Sequence, residues 1–204
     1  SVYNTIGQLL GPLIGGFLSE KYNMTFTFAV YTILSFLLIL FTFQIKEQAN
    51  ILINNLPIKK MYKKSLDLLK NRGIVATLLC TFIVLFIIDV RITFLPIYLQ
   101  EIGMSPFKIG ILISLGAWSA LLIKPIYPVL IRILGYKFLL VVTFIFSLNL
   151  LFLSPLLSNF FSYAVLFLFS GLALGINQPL SLSMISDQTT INDRGIAIGL
   201  RLMA

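Results

Sequence analysis

Six long apolar segments restrict the folds that this sequence can adopt. A helix needs about 20 residues to cross a hydrocarbon core roughly 30 Å thick, and each segment is close to that length or above it. Lipid cannot satisfy the backbone groups of open strands, so every segment is predicted to be a helix. The predicted spans are Val2 to Leu18, Thr25 to Ile45, Ile74 to Leu99, Ile109 to Leu134, Phe138 to Leu157 and Phe160 to Ile185, with another beginning at Ile196.

The composition is also that of a membrane protein. Hydrophobic residues make up 58% of the 204 residues and charged residues only 11%, and the mean hydropathy is +1.00. Soluble globular domains are far more polar than this. We therefore expect an all-α, polytopic bundle of membrane helices in the plasma membrane, with the lipid bilayer as its immediate partner.

The distribution of basic residues predicts the orientation of the chain. The net charge is +8, but the cations lie between the spans rather than on one soluble face, so nucleic acid is not an expected partner. One side of the bilayer is predicted to hold Lys46, Lys59, Lys60, Lys63, Lys64, Lys70, Arg72, Arg132, Lys137 and Arg194. The opposite side has Lys21 and Lys108. The positive-inside rule then predicts a cytoplasmic long connection, with Glu20, Glu101 and Ser158 outside.

The long basic connection, residues 46–73, is expected to divide the chain into two bundles. It contains the stretch NLPIKKMYKKSLDLLKNRG, in which apolar residues recur near helical spacing between lysines. This pattern predicts a short interfacial helix at the inner leaflet. A regulatory or partner-binding helix is the alternative interpretation. Because the chain opens and stops inside apolar runs, we expect it to be a fragment.

The first span contains the segment GQLLGPLIGG, which is unusual for a helix in lipid. Gly7, Gly11 and Gly15 recur every four residues, so each lies about 40° from the last and the three form one slowly drifting groove. Pro12 removes a backbone donor and kinks the helix, and Gly16 widens the flat surface. The groove predicts close approach of another helix backbone, either as generic membrane packing or as a gating contact.

A second row of small residues is expected to receive this groove. Gly110, Ser114 and Ala117 fall at i, i+4 and i+7 on one predicted span. Small residues on both partners let two backbones approach closely. If the groove holds this contact, Gly11→Leu is expected to push the helices apart and abolish function while leaving membrane insertion intact.

Three segments together resemble the major facilitator superfamily of membrane transporters. The pattern Gly-x-x-x-Gly-Pro-x-x-Gly-Gly, followed by SEKYN, resembles the antiporter motif on the family's fifth helix and the charged outer turn after it. FLPIYLQEIGMSP, at Phe94 to Pro106, is similar to the end of the seventh helix and the entry to the eighth. GLALGINQPLSLSMISDQTTINDRGIAIGLRLMA, from Gly171 onward, is similar to helix ten, its inner loop and the start of helix eleven.

The resemblance implies a domain organisation and a function. Residues 1–45 would be the last two helices of the amino-terminal bundle, residues 46–73 the central cytoplasmic loop, and residues 74–204 the carboxy-terminal bundle, truncated at the start of its fifth helix. The antiporter motif implies proton-coupled export of a small molecule, such as a drug, by alternating access. An importer or uniporter of sugars or metabolites is one alternative, and a membrane sensor or scaffold that transports nothing is another.

Besides Arg132 near the end of its span, four charged residues lie inside predicted spans. Each costs roughly 2.5 to 3.5 kcal/mol near the bilayer centre. Asp89 and Arg91 are about 200° apart around one helix, so they are expected to face different partners. For Asp89 the alternatives are a proton-linked role and anchoring at the interface. Lys124 has a stem long enough to snorkel. Arg201 is expected either to meet an acidic partner or an anionic substrate, or to lie at the membrane interface.

Amide side chains interrupt a later span. Asn177, Gln178 and Pro179 follow Gly171 and Gly175. A broken helix that exposes amides at mid-depth is typical of transporter cavities. Hydrogen bonding between helices is the alternative explanation.

The sequence offers no residues for several kinds of chemistry. It contains no histidine, so an imidazole-based zinc site is excluded, and it has no phosphate-binding loop for ATP. We therefore expect no metal, no cofactor and no enzymatic activity. Energy would come from an ion gradient, in which a desolvated carboxylate can carry protons because burial raises its pKa.

Overall fold

A computed structural model describes residues 2–44, 58–190 and 193–203 as helices joined by short turns, without strands in those ranges. The helices are α1 (Val2–Lys21), α2 (Met24–Thr42), α3 (Ile58–Leu68), α4 (Arg72–Glu101), α5 (Pro106–Ile123), α6 (Tyr127–Leu153), α7 (Phe160–Asp187) and α8 (Arg194–Met203), with a 3-10 turn at Ser154–Leu156 after α6. The predicted all-α bundle of membrane helices is confirmed.

Side-chain caps fix the start of three long helices. The Asn23 side chain accepts a hydrogen bond of 2.7 Å from the backbone N–H of Phe26 at the start of α2. Asn71 caps α4 in the same way, and Ser105 caps α5 with Pro106 at the first helical position. These residue types satisfy the free N–H groups of a first turn, and proline fits there because its missing donor is not needed.

Five of the described helices are long and apolar enough to cross a membrane: α2, α4, α5, α6 with the 3-10 turn after it, and α7. The sequence interpretation also counted Val2 to Leu18 as a span. The corresponding helix α1 has 20 residues, but residues such as Asn4, Thr5 and Gln8 make it less apolar, and it is not one of the five. The predicted interfacial helix corresponds to α3, an amphipathic helix of 11 residues.

Two helix boundaries differ from the sequence prediction. The segment Ile109 to Leu134, expected as one span, is divided by a turn over residues 124–126 between α5 and α6. Pro125 and Pro128 lack the N–H groups that would continue the helical ladder there. The next predicted boundary falls inside α6 at Gly135, where the backbone has φ 74° and ψ 164°. Only glycine adopts such angles readily, so α6 consists of two arms that meet at this residue.

The helices pack around α5 and α7. Helix α5 lies between α1 and α7, and α7 also packs against α6 and α4. Two predicted spans, Thr25 to Ile45 and Phe138 to Leu157, contain no glycine, which predicts a lipid-facing place at the periphery. Helix α2 agrees, because it contacts α1 and is otherwise exposed. The second arm of α6 does not agree, because it buries Leu139, Thr143, Ser147 and Leu150.

Candidate functional site

Helices α1 and α5 touch along their backbones in a contact that we call the α1–α5 seam. A Cβ atom added to Gly16 would lie 2.6 Å from the carbonyl oxygen of Pro106, and one added to Gly110 would overlap the carbonyl of Pro12. Both distances are far below van der Waals contact. The absence of side chains at Gly16 and Gly110 is therefore what allows the two helices to meet.

Hydrogen bonds hold the seam at both ends and at one point between them. The Ser114 hydroxyl donates to the carbonyl oxygen of Leu9 over 2.6 Å. Toward one end, the Lys124 ammonium donates to the hydroxyl of Thr5, which is 2% exposed. These polar contacts connect α1 and α5 where lipid would leave the same groups unsatisfied.

The other end of the seam is closed by Glu20, which lies beyond the apolar part of α1. Its carboxylate accepts a hydrogen bond of 3.0 Å from the backbone N–H of Phe107. The hydroxyl of Ser105, followed by this N–H and the charge of Lys108, lowers the pKa of Glu20 below its ordinary value. Glu20 is therefore ionised at neutral pH and holds the first turn of α5.

The glycine row Gly7, Gly11 and Gly15 does not line the seam. A Cβ atom at Gly7 or Gly11 would meet no atom within 4 Å, and one at Gly15 would meet the Tyr31 hydroxyl of α2 at 2.8 Å. Tyr31 also donates to the carbonyl of Gly11 over 2.9 Å. Gly11 and Gly15 line an open groove of about 480 Å³ between α1, α2, α4 and α5.

The register of α1 explains this correction. The seam residues, in steps of four or three, are Thr5, Leu9, Pro12, Gly16 and Glu20. At 100° per residue they form one stripe, whereas Gly7 and Gly11 lie on roughly the opposite side of the helix. The expectation that Gly11→Leu would separate the two helices is wrong on this geometry, because the close approach lies at Gly16.

The prediction that Gly110, Ser114 and Ala117 of α5 contact α1 is confirmed in part. Gly110 meets Pro12 and also approaches the Cα atom of Gly16, and Ser114 bonds to Leu9. Ala117 is half-buried, but no described contact ties it to α1. The seam therefore runs along the face of α5 that carries Gly110 and Ser114.

Arg91 is the most buried charged residue in the described part of the chain. It is 8% exposed, and its guanidinium lies 5.0 Å from the centre of the Phe167 ring. Its Nη2 atom lies 2.7 Å from the position of a Cβ at Gly116, while Nη1 is buried without a hydrogen-bond partner among the described residues. Asp89 is exposed on α4, so the two charges point in different directions, as their angular separation predicted.

A small cavity lies between α4, α6 and α7. Its volume is about 10 Å³, which is about enough for one water molecule. Its polar lining consists of Thr77, Thr81, Thr143, Asn177 and Ser181. Asn177 is half-buried at this cavity, whereas Gln178 is exposed and Pro179 is half-buried. Of the amide pair predicted for a cavity, the structure thus brings one member to it.

Arg201 of α8 contacts the edge of this cavity. Its Nε atom donates to the hydroxyl of Ser181 over 2.9 Å. Among the described residues, the acceptor for Arg201 is Ser181 rather than an acidic side chain. The Arg201 side chain is half-buried rather than fully exposed. The candidate residues Asp89, Arg91, Lys124, Asn177, Gln178 and Arg201 therefore occupy several places rather than a single pocket.

An ion pair at the basic end of the bundle was not predicted. Lys64 of α3 and Asp193, just before α8, lie 2.8 Å apart, and the Thr190 hydroxyl donates to the same carboxylate over 2.9 Å. Lys64 and then Thr190 lower the pKa of Asp193. No periodicity links residues 129 positions apart, so no sequence pattern indicates this contact.

These features define a class of protein: a multi-pass α-helical membrane bundle with polar and charged side chains between its helices. A family model described as Major Facilitator Superfamily matches residues 1–204. The chain belongs to this superfamily of membrane transporters. No match was found among curated proteins or among solved structures.

Proposed function

We propose that this chain is part of a proton-coupled exporter of small molecules that works by alternating access in the plasma membrane. Membership of the superfamily establishes a membrane transporter in general terms. The finer proposal rests on the α1–α5 seam. In the domain assignment proposed for residues 1–45 and 74–204, α1 belongs to one bundle and α5 to the other, so the seam joins the two parts that must rock against each other.

The seam has properties that suit a reversible contact. Its helices meet through glycine and proline backbones at Gly16, Gly110 and Pro12, which move as rigid surfaces without repacking side chains. Its polar contacts are few and lie at separate points, so they can break and re-form. Motions of this kind, in which one bundle rocks against another around a fixed site, are the basis of alternating access.

Asp89 is the proposed proton-linked carboxylate. It lies in the apolar helix α4, and its exposed neighbours along the helix include Phe86 and Ile92. A carboxylate inside an apolar span is costly there, and such a residue is a candidate for a functional role. Anchoring at the interface is the competing explanation for the same residue.

Transport in inverted vesicles tests the proposal. Vesicles that carry the full protein should accumulate substrate when a proton gradient is imposed, and a protonophore should abolish the accumulation. Asp89→Asn should remove the pH dependence. Glu101→Gln, at the exposed end of the same helix, is the matched control and should leave it intact.

The other functions give different results in the same assay. Flux that is insensitive to the protonophore would support an importer or uniporter of the same fold. Absence of flux for every compound in a broad panel would support a sensor or scaffold. Unaltered pH dependence in Asp89→Asn would assign that carboxylate to the interface.

A further inference from the structure

Three cations lie between the helices without a carboxylate partner. Arg91 is buried, and Lys124 and Arg201 are half-buried. In the ranges that the structure describes, ion pairs join Lys64 to Asp193 and Lys70 to Asp67. The three cations take part in neither pair. The interior of the described bundle is therefore electropositive.

The described acidic residues do not compensate for this charge. Glu20, Asp89, Glu101 and Asp187 are all exposed, and Glu20 is engaged by the first turn of α5. An isolated charge in a bundle interior is unfavourable unless a partner of opposite sign or a set of hydrogen bonds satisfies it. The Phe167 ring provides a cation–π contact to Arg91, but it leaves the Nη1 donor free.

The surroundings of Arg91 place its guanidinium where it can bind an oxyanion. The Phe167 ring lies on one side, and Gly116 leaves room for Nη2 where any side chain would collide with it. A guanidinium presents parallel N–H donors that match a carboxylate or a phosphate. Nη1 is therefore a buried donor, without a partner among the described residues, that a bound oxyanion would satisfy.

The buried face of α4 carries two threonines toward its end near α8, and Val84 and Ile87 separate them from Arg91. Thr77 and Thr81 lie on the same buried face of α4 as Arg91, and Thr81 is separated from Arg91 by about 15 Å of helix rise. Thr77 and Thr81 line the small cavity together with Ser181, which accepts from Arg201. The two arginines thus mark two depths along one face of the bundle.

We infer that the transported molecule is an organic or inorganic oxyanion, and that Arg91 binds its carboxylate or phosphate group while Arg201 attracts it at the cytoplasmic side. This inference rests on the proposed transport function. It gives the substrate a class that the proposal leaves open, and it disfavours cationic compounds. The charge of the bound anion compensates for the buried guanidinium, so binding and release change the electrostatics of the bundle interior.

Ligand binding to the purified full-length protein in detergent tests the inference. The probes are succinate, inorganic phosphate and the lipophilic cation tetraphenylphosphonium, and the readout is the dissociation constant measured by thermal shift. Wild-type protein should bind succinate, phosphate or both more tightly than the cation. The preference between succinate and phosphate then distinguishes carboxylate from phosphate substrates.

Two variants and one control locate the site. Arg91→Gln should weaken oxyanion binding at least tenfold. Arg91→Lys keeps the charge but loses the fork of donors, so it should weaken binding by a smaller factor. Arg132→Gln removes an exposed cation from α6 and should leave binding unchanged.

Several outcomes would overturn the inference. These are unchanged oxyanion affinity in Arg91→Gln, an equal loss in Arg132→Gln, tighter binding of the cation than of both anions by the wild type, or no binding of either anion. The wild-type preference is decisive even if Arg91→Gln does not fold. Proton-driven transport of a cation would leave the proposed function standing without this inference. Oxyanion binding without any flux would instead contradict the proposed function and leave Arg91 only as an oxyanion-binding residue.

Discussion

Replacing Gly16 by alanine should open one end of the α1–α5 seam. The new Cβ would lie 2.6 Å from the carbonyl oxygen of Pro106 and 3.2 Å from the Cα atom of Phe107. Ordinary contacts of this kind begin at 3.4 Å, so the helices must separate by about 0.8 Å at this point. The obstacle is backbone rather than a flexible side chain, and a rotamer change cannot relieve it.

The size of the effect follows from this collision. Forcing a methyl group into a well-packed contact costs about 1–3 kcal/mol. The penalty applies only to the conformation in which the end of the seam near Glu20 is closed. This end is expected on the outer side of the membrane. Since about 1.4 kcal/mol corresponds to a factor of ten, Gly16→Ala should shift the closed-to-open ratio at this end by roughly 5- to 150-fold.

Spin labels at Lys21 and Lys108 measure this shift. Both side chains are exposed, and they flank the contact between Glu20 and Phe107. Cys80, the single cysteine of the 204 residues, and any cysteine of the full protein outside them are replaced by serine so that labels attach only at these two positions. Double electron–electron resonance should show Gly16→Ala populating longer distances than the wild type.

Gly7→Ala provides the matched control in the same helix. A Cβ at Gly7 meets no atom within 4 Å, so the distance distribution should not change. Alanine should instead stabilise the helix by roughly 0.5–1 kcal/mol. Identical distributions in Gly16→Ala and wild type, or equal shifts in both variants, would refute the assignment of the seam to Gly16.

Three further substitutions test other parts of the structure. Gly135→Ala places a Cβ on a backbone with φ 74° and ψ 164°, which should lower the free energy of unfolding by about 1–3 kcal/mol; an unchanged midpoint of thermal unfolding would contradict the bend in α6. Ser114→Ala removes the 2.6 Å hydrogen bond to Leu9 and should lower the free energy of unfolding by about 1 kcal/mol. The midpoint of thermal unfolding should therefore be lower than that of the wild type. Asp193→Asn should have only a small effect on stability, because the Lys64 pair is partly exposed. The pKa of Asp193 is lowered in the fold, so the wild-type pair contributes at neutral pH and is lost as the pH falls through that lowered pKa; a difference between Asp193→Asn and wild type that persists in acid would refute this linkage.

The sequence predicted the type of most helices because each follows from local physics. Apolar runs of membrane length and the amphipathic pattern before Gly73 need no knowledge of distant residues. The turn at Lys124 to Ile126, which divides one predicted span into α5 and α6, was harder to predict from the sequence. Two prolines were visible there, but whether they bend a span or end a helix depends on what packs around them.

The candidate site was harder to predict because the neighbouring helices determine which side chains are buried and in contact. Four-residue spacing identified Gly7, Gly11 and Gly15 as a groove, yet the neighbouring helix contacts the stripe that includes Gly16. Likewise, Asp89 and Arg91 look equally exceptional in the sequence. Only the packing of α5 and α7 shows that Arg91 is buried and that Asp89 is exposed.

The off-centre position of the bond between Ser114 and Leu9 makes α1 an unequal lever. If this bond acts as the fulcrum, the arm toward Glu20 is about 16 Å long and the arm toward Thr5 about 6 Å. A tilt of about 10° then moves Glu20 by roughly 3 Å but Thr5 by only about 1 Å, which the flexible stem of Lys124 can follow. The long arm would release its contact with Phe107 first, while the short arm stays tethered throughout the swing.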